Sequence, residues 1–150
     1  MSDPATSLYD RDFYAWANEQ AALLRAGNLS AADIDNIAEE IESMGRAEKR
    51  ELVSRLTILL LHLLKWQYQP KRRGRSWWAF IANTRDDLVS HLADNPSLKS
   101  LLADAVSVAY RRAKREAFVA TGSPERTFPE VCPWSFEQMM DHEFWPGSDR

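Results

Sequence analysis

Three histidines, one cysteine and a run of acids are the side chains here with the chemistry for catalysis or metal binding. His62, His91 and His142 are far apart in the chain, and neither an HExxH nor a Glu-x-x-His pair is present, so a metal site would need the fold to bring them together. Asp87 and His91 share a helical face at a spacing of four, and Asp94 follows His91 by three, which a metal could use. That spacing is common, and His91 reads as part of a solvated helix end. Glu39, Glu40 and Glu42 invite comparison with the carboxylates of di-metal bundles, but the facing Glu-x-x-His motifs are missing, and the acidic outer face of an amphipathic helix is the simpler reading. Cys132 sits between Val131 and Pro133 with no histidine at a local spacing and reads as a small buried hydrophobe. The expectation is therefore no catalytic residue, no cofactor and no stoichiometric transition metal, with His62 packed among leucines.

The stretch HLLKWQYQPKRRGRSWW, residues 62–78, is the best binding candidate, because cations beside aromatic rings can contact phosphates and stack on unpaired bases. Trp66 falls on the face of Leu59 and Leu63 and reads as core, as does Trp77. The candidate binding residues are then Tyr68, Lys71, Arg72, Arg73, Arg75 and Trp78. No acid lies between Glu51 and Asp86, whereas both flanks of the chain are net negative. The opposing expectation is a structural corner, in which at least one of Arg72, Arg73 and Arg75 pairs with Glu39, Glu40 or Glu42 across an antiparallel turn at Gly45.

Those residues must be positioned by helices, for apolar periodicity of three and four runs through the chain and no strand pattern interrupts it. A first helix is expected near 10–26, capped by Asp10 and stopped by Gly27-Asn28. A second starts at Ser30 with Ile34, Ile37, Ala38, Ile41 and Met44 as its apolar stripe, and Gly45 should break or kink it. A third, central helix ends near Tyr68 before Pro70; a fourth runs from Trp77 to Asp94 behind Ser76, with Trp77, Phe80, Ile81, Leu88 and Leu92 on its core face. A fifth begins at Asn95-Pro96 and closes at Gly122. The proline- and aromatic-rich tail should lie over the bundle as a strap with one short helix behind a Ser135/Gln138 capping box. The expected fold is all-α, a single domain of about five helices spanning 1–150.

With 45% hydrophobic and 27% charged residues, the 150-residue chain is globular rather than disordered in composition. A single cysteine excludes an internal disulfide framework, and the N-terminus lacks the basic start and apolar core of a signal peptide, so a cytoplasmic protein is expected. Its leucine-rich run is far shorter than the ~20 residues of a membrane span.

The segments YDRDFYAWANEQAALLRAG, NIAEEIESMGR, LLLHLLKWQYQPKRRGRSW and FPEVCPW, in that order and spacing from Tyr9 to Trp145, resemble the bacterial domain-of-unknown-function family 29. The resemblance implies a small bacterial all-helical domain without established activity, and it offers no catalytic residues to carry over. The functional expectation is a module that binds a protein partner, with nucleic-acid binding through 71–75 and a histidine-based metal enzyme as alternatives. Partner identity and oligomeric state are left open by the sequence.

Overall fold

The computed structural model describes residues 7–147, and among these the fold is all-α, as expected. Four long helices dominate: α2 (Phe13–Arg25), α3 (Ile34–Tyr68), α4 (Arg75–Asp94) and α5 (Leu102–Thr121), with short helices α1 (Leu8–Arg11) and α6 (Phe136–Met140) at the two ends. The chain divides into two compact units, the first ending at Ala47 and the second starting at Glu48.

The first unit holds α1, α2 and the N-terminal part of α3. The expected single helix at 10–26 is two: Ser7 accepts from the Asp10 N–H at the start of α1, and Asp12, accepting from the Ala15 N–H, caps α2. Gly27 supplies the left-handed stop (φ 74°). Ser30 does not cap α3. Its hydroxyl donates to Asn28 Oδ1, and the helix starts three residues later than that cap would place it, behind Asp33, whose carboxylate accepts from Trp16 Nε1–H (3.0 Å) and Asn36 Nδ2–H (2.8 Å). Those two donors hold the Asp33 carboxyl below its ordinary range, with the Asn36 bond the larger cause and burial opposing it.

Gly45 does not break the helix: α3 runs 35 residues through it, joining the expected second and third helices. One glycine costs only about 1 kcal/mol against alanine, and the surrounding turns are good helix formers. Arg46 adds ion pairs to Glu39 (2.9 Å) and Glu42 (3.8 Å), both N-terminal to it on the same surface.

The second unit is built on the rest of α3. Leu52, Leu56, Leu59, Leu60, Leu63 and Leu64 are all fully buried, each contributing roughly 1.5–3 kcal/mol. They share a core with Ile81, Leu88 and Leu92 of α4 and with Ala105, Ala109, Ala113 and Ala117 of α5. The alanines recur every four residues, so α5 offers a stripe of small side chains in the same core as the large leucines, the alternation that close packing requires. Helix α4 begins at Arg75 with no side-chain cap, so Ser76 lies inside it. A 3-10 turn, Pro96–Leu101, precedes α5, and Asn95 uses its side chain to donate to the His91 carbonyl instead of capping. Gly122 (φ 71°) closes α5.

The tail is a strap, as expected. Phe128, Trp134 and Met139 are buried, Tyr110 donates its hydroxyl to the Pro129 carbonyl (2.6 Å), and the Ser135/Gln138 capping box is complete. Its main tether is Arg85, a residue to which the sequence analysis gives no structural role. Arg85 is 0% exposed; its Nε–H donates to the Met139 carbonyl (2.6 Å), its Nη2–H to the Phe144 carbonyl (2.8 Å), and its guanidinium lies over the Trp145 ring at 5.3 Å. Burial lowers its pKa, and the Asp141 carboxylate pulls the other way.

Two substitutions test this frame by denaturant unfolding. Gly45→Ala should raise stability by about 0.5–1 kcal/mol, since the helix is continuous and nothing lies within 4 Å of the added methyl; a loss would mean that the helix is interrupted there. Arg85→Ala strands two carbonyls and empties a core volume, and should cost about 3 kcal/mol or more.

Candidate functional site

Three features present chemistry at or near the surface. The first is the basic corner. Here the expected candidates divide by role. Arg73 is structural: its Nε–H donates to the Trp66 carbonyl (2.6 Å), its Nη2–H reaches the Pro146 carbonyl (3.5 Å), and it sits over the Trp66 ring at 5.4 Å. Gly147 suits the turn there by its positive φ (79°), and an added Cβ, 2.8 Å from that guanidinium, would push Arg73 aside. Tyr68 is half-buried edge-on against Phe128. Trp78 is exposed yet stacks parallel to Trp145, while Trp77 is half-buried under Lys65. Lys71, Arg72 and Arg75 are exposed and have no ion pair among the described residues.

The expected pairing of these arginines with the acidic face is not what the structure has. Glu39 and Glu42 are taken by Arg46, and Glu40 accepts from the Tyr9 hydroxyl, whose pKa that bond pushes up to about 12. The reason is local: with no turn at Gly45, each acid finds its partner within its own unit.

The second feature is the stripe Ile34, Ile37, Ile41 and Met44 on α3. It is the apolar stripe expected of this helix, and it is largely uncovered: Ile34, Ile41 and Met44 are 51%, 58% and 63% exposed. Phe13, Tyr14, Leu24 and Leu29 are also exposed, so the described residues of this unit include seven exposed large hydrophobics against one buried one, Trp16. The edge-on packing of Tyr9 on Trp16 and the Gln20 side chain, which accepts from the Asp33 N–H, hold α1 and α2 to the start of α3 without covering the stripe.

The third is a cleft of about 400 Å³ between α3 and α4, lined by Glu48, Glu51, Arg55, Asp87, His91 and Asp94 among others. His91 is not at a solvated helix end; it is 7% exposed, and its Nε2–H donates to the Glu48 carbonyl (2.9 Å). Its Nδ1 faces Glu48 Oε2 at 3.7 Å and Glu51 Oε2 at 3.8 Å. Arg55 holds the other Glu51 oxygen at 2.6 Å and Asp87 at 3.1 Å, and that hydrogen bond is the main reason the Glu51 carboxyl titrates below its ordinary range. The other histidines stand apart from this cluster in their contacts. His62 donates Nδ1–H to the Ile58 carbonyl and packs on Phe80, with burial lowering its pKa, whereas the exposed His142 meets Asp86. Cys132 is half-buried, and burial raises its thiol pKa, which suits the packing role expected of it.

No described helix is long and apolar enough to cross a membrane. Among the described residues, the long helices, the leucine core of the second unit and its aromatic strap define an all-helical fold. The chain matches the model of the family described as Domain of unknown function DUF29 over residues 8–145, and it belongs to that family. No curated protein and no solved structure matches it.

The division of roles at the basic corner can be read from stability. Arg73→Ala should cost about 1–2 kcal/mol through the lost hydrogen bonds and ring contact. Lys71→Ala, Arg72→Ala and Arg75→Ala should each stay within about 0.5 kcal/mol of the parent. Equal effects at all four positions would contradict the assignment.

Proposed function

We propose that this protein is a protein-binding module that docks an amphipathic, basic helix of its partner on the seam formed by Ile34, Ile37, Ile41 and Met44. The observation that carries this reading is the exposure of that seam. Steps of three, four and three residues are those of a and d positions in a two-heptad coiled-coil seam, and a helix face of this kind is stable in water only when something covers it. Ala38 and Gly45 lie beside the seam, where small side chains let a second helix approach closely.

Charge narrows the partner. Residues 1–51 carry eleven acids against five bases, and Glu39, Glu40 and Glu42 share the seam's helix. A second copy would bring like charge to the interface, whereas basic flanking residues on the partner would be complementary and would speed encounter.

The test is affinity capture from the native organism's extract with three baits. Ile41→Glu/Met44→Glu places charge on the seam at exposed positions, so folding and Tm should hold while partner capture is lost. A Lys71→Ser/Arg72→Ser/Arg75→Ser bait should capture as the parent does, and nuclease treatment should change nothing. Loss of capture by the loop bait but not the seam bait, or capture abolished by nuclease, would replace this reading with the basic corner as the binding surface.

A further inference from the structure

We propose a divalent transition-metal site in the second unit, formed by His91 Nδ1, Glu48 Oε2 and Glu51 Oε2, with Zn2+ as the simplest occupant. It is independent of the docking seam and uses none of its residues.

The argument starts from the imidazole. A carbonyl oxygen only accepts, so the Glu48 carbonyl at 2.9 Å fixes the proton of a neutral His91 on Nε2. The lone pair of Nδ1 then points toward two carboxylate oxygens, at 3.7 and 3.8 Å. Those distances are too long for hydrogen bonds. They suit two ligands of one ion: with metal–ligand bonds of about 2.0–2.2 Å, tetrahedral ligand atoms stand about 3.4 Å apart. The three ligand atoms already lie within 4.8 Å of one another, so small side-chain rotations of the two glutamates close the set.

His91 as a whole is 7% exposed, and what its Nδ1 faces in the cleft is the pair of glutamate oxygens. A largely buried imidazole, held by its Nε2–H bond with Nδ1 facing two anions, marks this cluster as more than an acidic patch. Its supports are those that metal ligands use. The Nε2–H bond to a backbone carbonyl sets the ring tautomer and angle, and Arg55, gripping Glu51 Oε1 at 2.6 Å, turns Oε2 toward the histidine.

Charge agrees. The cleft gathers the carboxylates of Glu48, Glu51, Asp87 and Asp94 around the single guanidinium of Arg55, leaving an excess of negative charge that a divalent ion offsets. The donor set chooses the class of ion: one imidazole and two carboxylates suit zinc, manganese or iron, whereas calcium and magnesium favour all-oxygen shells. With three protein ligands and an open side, a bound ion would keep positions for water or a small anion.

The experiment is calorimetric titration of Zn2+ into tag-free, chelator-stripped protein, with far-UV circular dichroism confirming the fold of every variant. One equivalent should bind to the parent. Glu48→Gln and Glu51→Gln, which preserve shape and leave the half-exposed side chains solvated, should each weaken binding by about tenfold to a hundredfold or more, at least the loss seen for outer-shell groups. His91→Ala should abolish it, and His142→Ala should leave it unchanged. Co2+ in place of Zn2+ should give a visible ligand-field band that His91→Ala removes. Absence of binding by the parent, unaltered affinity in both glutamine variants, or equal loss in His142→Ala would each overturn the site.

Discussion

A guanidinium with no access to water is the constraint on which the second unit depends. Desolvating Arg85 is costly, and the cost is met only because the tail brings the Met139 and Phe144 carbonyls and the Trp145 ring to it. The dependence runs both ways. The tail has one short helix of its own, so its route is set by what it satisfies: Arg85 and Arg73 take its carbonyls, and Phe128, Trp134 and Met139 enter the leucine core. One Arg85 nitrogen, Nη1, is buried without a partner among the described residues, which concentrates the remaining polar cost at this point.

Among the described residues, the first unit has no comparable anchor. Its polar contacts, Trp16 and Gln20 to the Asp33 turn and Tyr9 to Glu40, orient α1 and α2 but bury little apolar surface. Hydrogen bonds of this kind contribute about 0.5–1.5 kcal/mol each and do not replace a core. Among the described residues, large exposed hydrophobics number seven on each side of Glu48, but only the second unit has a leucine core to set against them. That asymmetry is what the proposed docking role rests on.

Much of the fold was legible in the sequence because periodicity and punctuation report local physics. Leu52 to Leu64, the stop at Tyr68, the Gly122 cap and the Ser135/Gln138 box follow from rules that act within a few residues. Gly45 misled because a propensity of about 1 kcal/mol is small against the cooperativity of a long helix. The stripe Ile34 to Met44 was readable as an apolar face, but a pattern does not say whether its cover comes from the same chain. Arg85 left a signal that went unused: it occupies the core position between Ile81 and Leu88 on α4. The Glu48, Glu51 and His91 cluster could not be read, since its two halves are 40 residues apart and only tertiary packing joins them.

Amide hydrogen exchange of the full-length protein alone, resolved by residue, tests most directly whether a self-sufficient core coexists with a seam left for a partner. Backbone amides of Leu52–Leu64, Ile81–Leu92 and the capped turn at Met139 should exchange together and only through global unfolding, while those of Phe13–Arg25 and Ile34–Met44 exchange through far less costly openings. Protection of the Ile34–Met44 amides equal to that of the leucine core would show the first unit to be satisfied without a partner, and would contradict the division.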